Sequence, residues 1–181
     1  MLEVKIFTLY PDLFPGPLDI GIFKKARENK IWNLKVINIR EYSKDNHGTV
    51  DDTPFGGGSG MLLRPDILAS ALDKNIKKGE KIIYLSPRGK KFDQNYAKTL
   101  AKEKSLSLIC GHFEGVDERV LSTRNIEEVS VGDYVLSGGE TAALVVLDSV
   151  LRLLPLSLIH ISEPTRPERI ADSVLCVKKK M

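Results

Sequence analysis

Apolar and polar positions along the chain fall into two rhythms. Val4, Ile6 and Thr8 alternate with Lys5, Phe7 and Leu9, the two-residue period of a strand over Leu2 to Leu9, and Pro11 ends it. From Pro17 to Glu28 the spacing becomes helical, with a proline at the start and Ile20, Phe23 and Ala26 on one side. Ile31 to Ile39 is β-branched and predicts a second strand. Arg40 to Gly60 has no period and is rich in glycine; loops of that length usually carry function or lack order. Beyond it the pattern predicts a helix over Arg64 to Lys78 and a short buried strand over Lys81 to Leu85. A helix over Asp93 to Lys104 follows, with Asp93 as its N-cap, then a buried strand over Leu106 to Cys110. Asp117 to Ser122 reads as a helical turn and Glu128 to Val131 as a short strand. Gly139 to Leu154 reads as a helix stopped by Pro155.

Strands and helices alternate, and the inner strands are apolar throughout. That pattern predicts an α/β fold with a mainly parallel sheet flanked by helices on both faces. Ligands of such sheets bind at the carboxyl ends of the strands, so chemistry is expected after Leu85, Cys110 and Val131. Three bends stand there: Ser86 to Gly89, Gly111 to Gly115, and Gly132 to Gly139. Each alone reads as a tight turn. All of them at one end of one sheet favour a ligand site, since glycine lets backbone approach a ligand closely.

Composition narrows the function classes. In 181 residues, 42% are hydrophobic and 28% charged, the mix of an ordinary globular domain. A net charge of +3 is compatible with an RNA partner without arguing for one. Cys110 and Cys176 stand far apart, which disfavours a disulfide framework or a zinc site. No metal-ligand cluster is predicted. The first residues lack a basic, then apolar leader pattern. The longest apolar stretch, Thr141 to Leu156, is interrupted by Asp148 and Arg152, so no membrane span is expected and the default location is cytoplasmic.

Gly56 to Gly60 is not a Walker loop, because Met61 stands where lysine is required. No buried strand precedes it, so it reads as a loop over a site or as a linker. His47, Asp51 and Asp52 share that polar segment, where a solvated role is the simpler reading. Asp148 and Arg152, four residues apart, lie on one helix face. They form either a surface salt pair or a place from which Arg152 reaches a developing anion.

Several segments together resemble the bacterial tRNA (guanine-N1)-methyltransferases of the SPOUT class. They are Thr49 to Asp52 with Pro54 to Met61, Tyr84 to Pro87, Cys110 to Arg119, and Ser130 to Glu140. The resemblance covers roughly residues 1 to 155. It implies a deep trefoil knot in the C-terminal part of the α/β domain, S-adenosylmethionine as cofactor, tRNA as substrate, and a homodimer with its site at the subunit interface. The reaction implied is methylation of N1 of the guanosine 3′ of the anticodon. Carried over residue by residue, cofactor contacts are expected at Tyr84, Leu85, Pro87, Gly111 and Glu114. The third bend adds Ser130, Val131, Gly132, Asp133, Tyr134, Val135, Leu136, Gly138 and Gly139. Arg152 matches the arginine that stabilises charge on guanine O6. His47, Asp51, Gly57 and Gly58 become candidate substrate contacts.

After Pro155 the resemblance ceases, and residues 156–181 read as an aberrant tail. It stands where the family has an interdomain linker, bearing the aspartate used as general base, and a C-terminal tRNA-binding domain. Impaired methylation is the resulting expectation. A non-catalytic RNA- or cofactor-binding dimer of the same type, and a SPOUT methyltransferase for another RNA position, stay open as alternatives.

Overall fold

The alternating first segment forms strand β1 (Leu2–Thr8). A computed structural model describes residues 1–43, 45, 48–53, 60–77 and 79–155. A short 3-10 turn at Gly16–Asp19 precedes helix α1 (Gly21–Glu28). The single helix expected from Pro17 is divided because Ile20 is extended and Gly21 turns through φ +60°, a conformation that suits glycine. Strand β2 (Trp32–Asn38) follows. Within the segment expected to be irregular, strand β3 (Asp51–Asp52) forms and pairs antiparallel with β4 (Leu62–Leu63), just beyond that segment. Helix α2 (Pro65–Asn75) starts at its proline.

Strand β5 (Lys81–Lys91) extends past the expected end at Leu85. Helix α3 (Gln94–Leu100) is capped by Asp93, whose carboxylate accepts from Tyr96 N at 2.7 Å as the sequence suggested. The helix ends earlier than Lys104 because Lys102 and Glu103 bond three residues back, tightening the last turn. Strand β6 (Ser105–Cys110), helix α4 (Glu118–Thr123), strand β7 (Glu127–Ser130) and helix α5 (Gly139–Leu151) complete the described fold. At the end of α5, Leu153 and Leu154 also bond three residues back, ahead of Pro155, which disfavours helical geometry in the residue before it.

Five strands form one sheet in the order β2-β1-β6-β5-β7, and every pairing is parallel. The strand period sends side chains to two cores. Val4, Ile6, Ile83, Leu85, Leu106 and Leu108 pack on one face with Ala26 of α1, Ala97 and Leu100 of α3, and α5. Phe7, Ile82, Tyr84 and Ile109 pack on the other with α2 and α4. Helix α5 is apolar almost all round. Its buried Val146, Leu147, Val150 and Leu151 each contribute about 1.5–3 kcal/mol of transfer free energy. Its exposed stripe is Thr141, Val145, Asp148 and Arg152.

At its exit from the sheet, β5 loops out and returns. Leu85 and Lys90 both pair with Val129, so Ser86 to Gly89 project as a clamped excursion. A β-carbon on Gly89 would strike the Val129 and Glu128 backbone, which explains glycine there.

Candidate functional site

Three neighbouring strands, β6, β5 and β7, deliver their bends to one end of the sheet, and a cavity of about 410 Å³ opens between them. This is the carboxyl edge, where parallel sheets present backbone groups to ligands. Tyr84, Leu85 and Pro87 line it from β5. Gly111 and Glu114 line it from the bend after β6. Ser130, Val131, Gly132, Tyr134, Val135, Leu136, Gly138 and Gly139 line it from the segment that joins β7 to α5. Asp133, expected among them, is exposed and lies outside the lining. Ser86, Arg88, His112, Phe113, Gly115, Val129, Ser137 and Ala142 line the cavity as well. Most of them belong to the bends the sequence singles out, so reading whole bends rather than single motif positions would have found them.

The glycines are small because the bends touch. A β-carbon on Gly111 would lie 2.6 Å from the Tyr84 ring and 2.7 Å from its hydroxyl. One on Gly139 would lie 2.6 Å from Cys110 Cα and 2.7 Å from Gly111 N. The third bend thus returns onto the second at backbone contact, and Gly139 N donates to Gly111 O at 2.9 Å. Ser130 shapes its start: the hydroxyl donates to Gly132 O at 2.8 Å and accepts from Gly132 N at 3.3 Å.

Two full charges of opposite sign stand in the wall, Arg88 and Glu114. Burial pushes the Tyr84 phenol above its ordinary value, and the negative charge of Glu128 adds to this. Arg88 and a hydrogen bond from the Val116 backbone pull the other way. Tyr84 is therefore a neutral wall. Burial also pushes the Cys110 thiol well up, with Glu140 adding to the effect, so this cysteine is not a nucleophile.

An open groove lined by Leu62, Val116, Asp117, Glu118 and Arg119 shares Arg88 and Glu114 with the cavity, so the two are continuous. The β3–β4 ribbon lies beside this junction. Glu114 N donates to Met61 O at 2.9 Å and Leu63 N to Gly115 O at 3.0 Å. Gly60 packs directly on the Glu114 side chain. Asp51 sits on the ribbon opposite Leu63, half-buried and outside the cavity lining. His47, Gly57 and Gly58 lie outside the described residues. Arg152 caps the far end of α5, about 20 Å from Gly139 at the helical rise, and is exposed. No ion pair joins it to Asp148 among the described residues.

The donor set suits a nucleoside-sized ligand. A cavity of about 410 Å³ falls in the ordinary range for such sites. Leu85, Val131 and Ala142 offer apolar wall for a ring, and the glycine bends offer backbone N–H and C=O groups. No helix among the described residues is long and apolar enough to cross a membrane.

Comparison with known proteins adds a direct line. A family model described as tRNA (Guanine-1)-methyltransferase TrmD matches residues 2–165. A protein of Pelagibacter ubique named tRNA (guanine-N(1)-)-methyltransferase is 72% identical over 155 residues, covering 86% of this chain and 68% of that protein. Relatives of the same name from Bartonella tribocorum and from Wolbachia pipientis of Culex pipiens are 52% and 50% identical. They cover 84% of this chain and 66% and 67% of their own lengths. The chain thus spans about two thirds of the length of the curated relatives it matches.

Proposed function

This chain belongs to the tRNA (guanine-1)-methyltransferase family, whose reaction is methylation of guanine N1 in tRNA, and from that premise we propose how its own residues serve that reaction. The methyl donor is S-adenosylmethionine, the acceptor is N1 of the guanosine 3′ of the anticodon, and the cavity at the carboxyl edge holds the donor. The observation that carries the reading is the closure of three glycine-bearing bends around one nucleoside-sized space.

When bound, S-adenosylmethionine supplies an electrophilic methyl group. The protein's part is binding and alignment. Backbone of Gly111, Gly132 and Gly138 fixes polar edges, while Leu85, Val131 and Ala142 exclude water from the ring. Glu114, at the junction of cavity and groove, stands beside both cofactor and guanine. Guanine N1 carries a proton and is a poor nucleophile until a base removes it. In this reading the family's base belongs to the interdomain linker that residues 156–181 replace, and Arg152 stabilises the negative charge that spreads to O6.

The position of Arg152 supports a homodimer as part of the proposal. From the far end of α5 it reaches a guanine at a cavity mouth only when that cavity belongs to a second copy. Phe113, Tyr134, Val135 and Leu136 expose apolar surface at the rim, as expected of a face that a second copy covers. The deep trefoil knot and a cytoplasmic location belong to the same reading. Residues 1–155 form the methyltransferase domain in this reading, and 156–181, of which the family model's match takes in only the first part, to residue 165, depart from the family's linker, which leaves cofactor binding intact and methyl transfer slow.

Calorimetric titration with S-adenosylmethionine, with and without tRNA, tests this together with a radiolabelled methyl-transfer assay. Saturable cofactor binding and weak transfer are expected. A folded chain that fails to bind S-adenosylmethionine refutes the cofactor assignment, and transfer at the rate of full-length relatives refutes the role given to 156–181.

A further inference from the structure

Behind the cavity wall lies a buried carboxylate that the sequence reading does not use. Glu140 stands in the first turn of α5 and is 4% exposed. Thr8, fully buried at the end of β1, donates its hydroxyl to Glu140 Oε1 at 2.5 Å. His112, in the bend after β6, places Nε2 2.8 Å from both carboxylate oxygens. The Thr8 hydroxyl also accepts from Tyr10 N at 2.9 Å, and the Tyr10 ring meets the His112 ring edge-on at 5.0 Å. One side chain therefore ties together the end of β1, the second bend and the start of α5. A β-carbon on Gly138 would lie 2.7 Å from Glu140 Oε2 and would also strike the His112 ring, so the third bend is shaped by the pair.

Two physical points give this arrangement its meaning. A carboxylate accepts only, so His112 donates from Nε2 and its ring orientation is set. Burying an ion pair or charged hydrogen-bond set seldom stabilises a fold more than apolar side chains of equal volume. What Glu140 adds is direction, and the group it directs, His112, lines the cavity.

We propose that Glu140 is a positioning residue for the cofactor cavity: by accepting from Thr8 and His112 it fixes the His112 ring and the Gly138–Gly139 backbone in the geometry that receives the ligand. The inference rests on the cavity being the S-adenosylmethionine site. Its test is calorimetric titration of the whole chain with S-adenosylmethionine, with a thermal melt of each sample in the absence of ligand. Glu140→Gln keeps the shape but replaces one acceptor with a donor facing His112, and weakens binding about tenfold or more. His112→Gln places an amide nitrogen near the position of Nε2 and retains affinity within about threefold, whereas His112→Leu loses about tenfold. Equal affinities for His112→Gln and His112→Leu, or wild-type affinity for Glu140→Gln, overturn the proposal while leaving the cofactor assignment standing. A native wild-type chain without affinity for S-adenosylmethionine overturns both. Should Glu140→Gln fail to fold, the two His112 variants decide alone.

Discussion

Replacing Gly139 with alanine sets helix propensity against packing, and the structure says which wins. In a helix, alanine is favoured over glycine by about 0.5–1 kcal/mol. Here the new β-carbon would lie 2.6 Å from Cys110 Cα, 2.7 Å from Gly111 N and 3.0 Å from Cys110 C, all backbone atoms of a buried strand and its exit. Ordinary contact begins at 3.4 Å, so the start of α5 must retreat by about 3.4 − 2.6 = 0.8 Å. That retreat stretches the 2.9 Å bond from Gly139 N to Gly111 O to about 3.7 Å, past hydrogen-bond range. Overpacking costs about 1–3 kcal/mol and the lost bond about 1 kcal/mol. Net of the propensity gain, Gly139→Ala is destabilised by about 1–3 kcal/mol, a fall in Tm of about 3–10 °C for a domain of this size. The same displacement opens the cavity wall, and S-adenosylmethionine affinity falls at least about tenfold. Differential scanning fluorimetry and calorimetric titration read both effects. Gly16→Ala is the control, since Gly16 has φ +51° with nothing near its β-carbon: it loses some stability to backbone strain and keeps cofactor affinity. A Gly139→Ala protein that melts at or above the wild-type temperature with unchanged affinity would falsify the reasoning.

Two further outcomes follow from ion pairs outside the cavity. Lys5 and Glu80 pair at 2.7 Å with side chains 3% and 7% exposed, and Lys5 also donates to Asn75 O. Lys5→Met leaves the Glu80 carboxylate buried and unpaired and costs about 3 kcal/mol in urea unfolding, while adding Glu80→Met recovers most of it; equal stabilities of single and double variants would contradict this. The hydrogen bond from Arg124 holds the Asp73 carboxyl below the usual carboxylate value. A lowered folded-state value gives stability that is present above the unfolded-state value, about 3.9, and is lost as pH falls through the folded-state one. Asp73 is largely exposed while Arg124 is half-buried, so solvent screens the pair: Asp73→Asn costs no more than about 0.5 kcal/mol at neutral pH, and the difference vanishes at the acid end of a pH series of melts. A gap that widens on acidification would reverse the assigned sign.

How much the sequence disclosed depended on how local each cause was. Alternation over β1 and the Asp93 cap were legible because period and capping act within a few residues. Strand β5 read as ending at Leu85, since Pro87 and Gly89 look like a stop; that the strand resumes at Lys90 is decided by Val129, across the sheet. The β3–β4 ribbon is too short to show a period and is fixed by its bridge to Val116. The bends were found from glycine placement, yet their convergence on one cavity is a property of strand order. The bond between Thr8 and Glu140 joins positions 132 residues apart, and no spacing rule reaches that far. Arg152 was read from its motif position, and the helix places it at the end away from the cavity.

The walls of the cavity come from Tyr84 through Ala142, in segments separated by whole strands and helices. No shorter stretch of chain contains the binding surface. During synthesis, a ribosome must extrude the start of α5 before any ligand of this space can stabilise the nascent protein. Until then β5 and β6 emerge with their carboxyl edge uncovered, and the nascent domain depends on its two apolar cores alone.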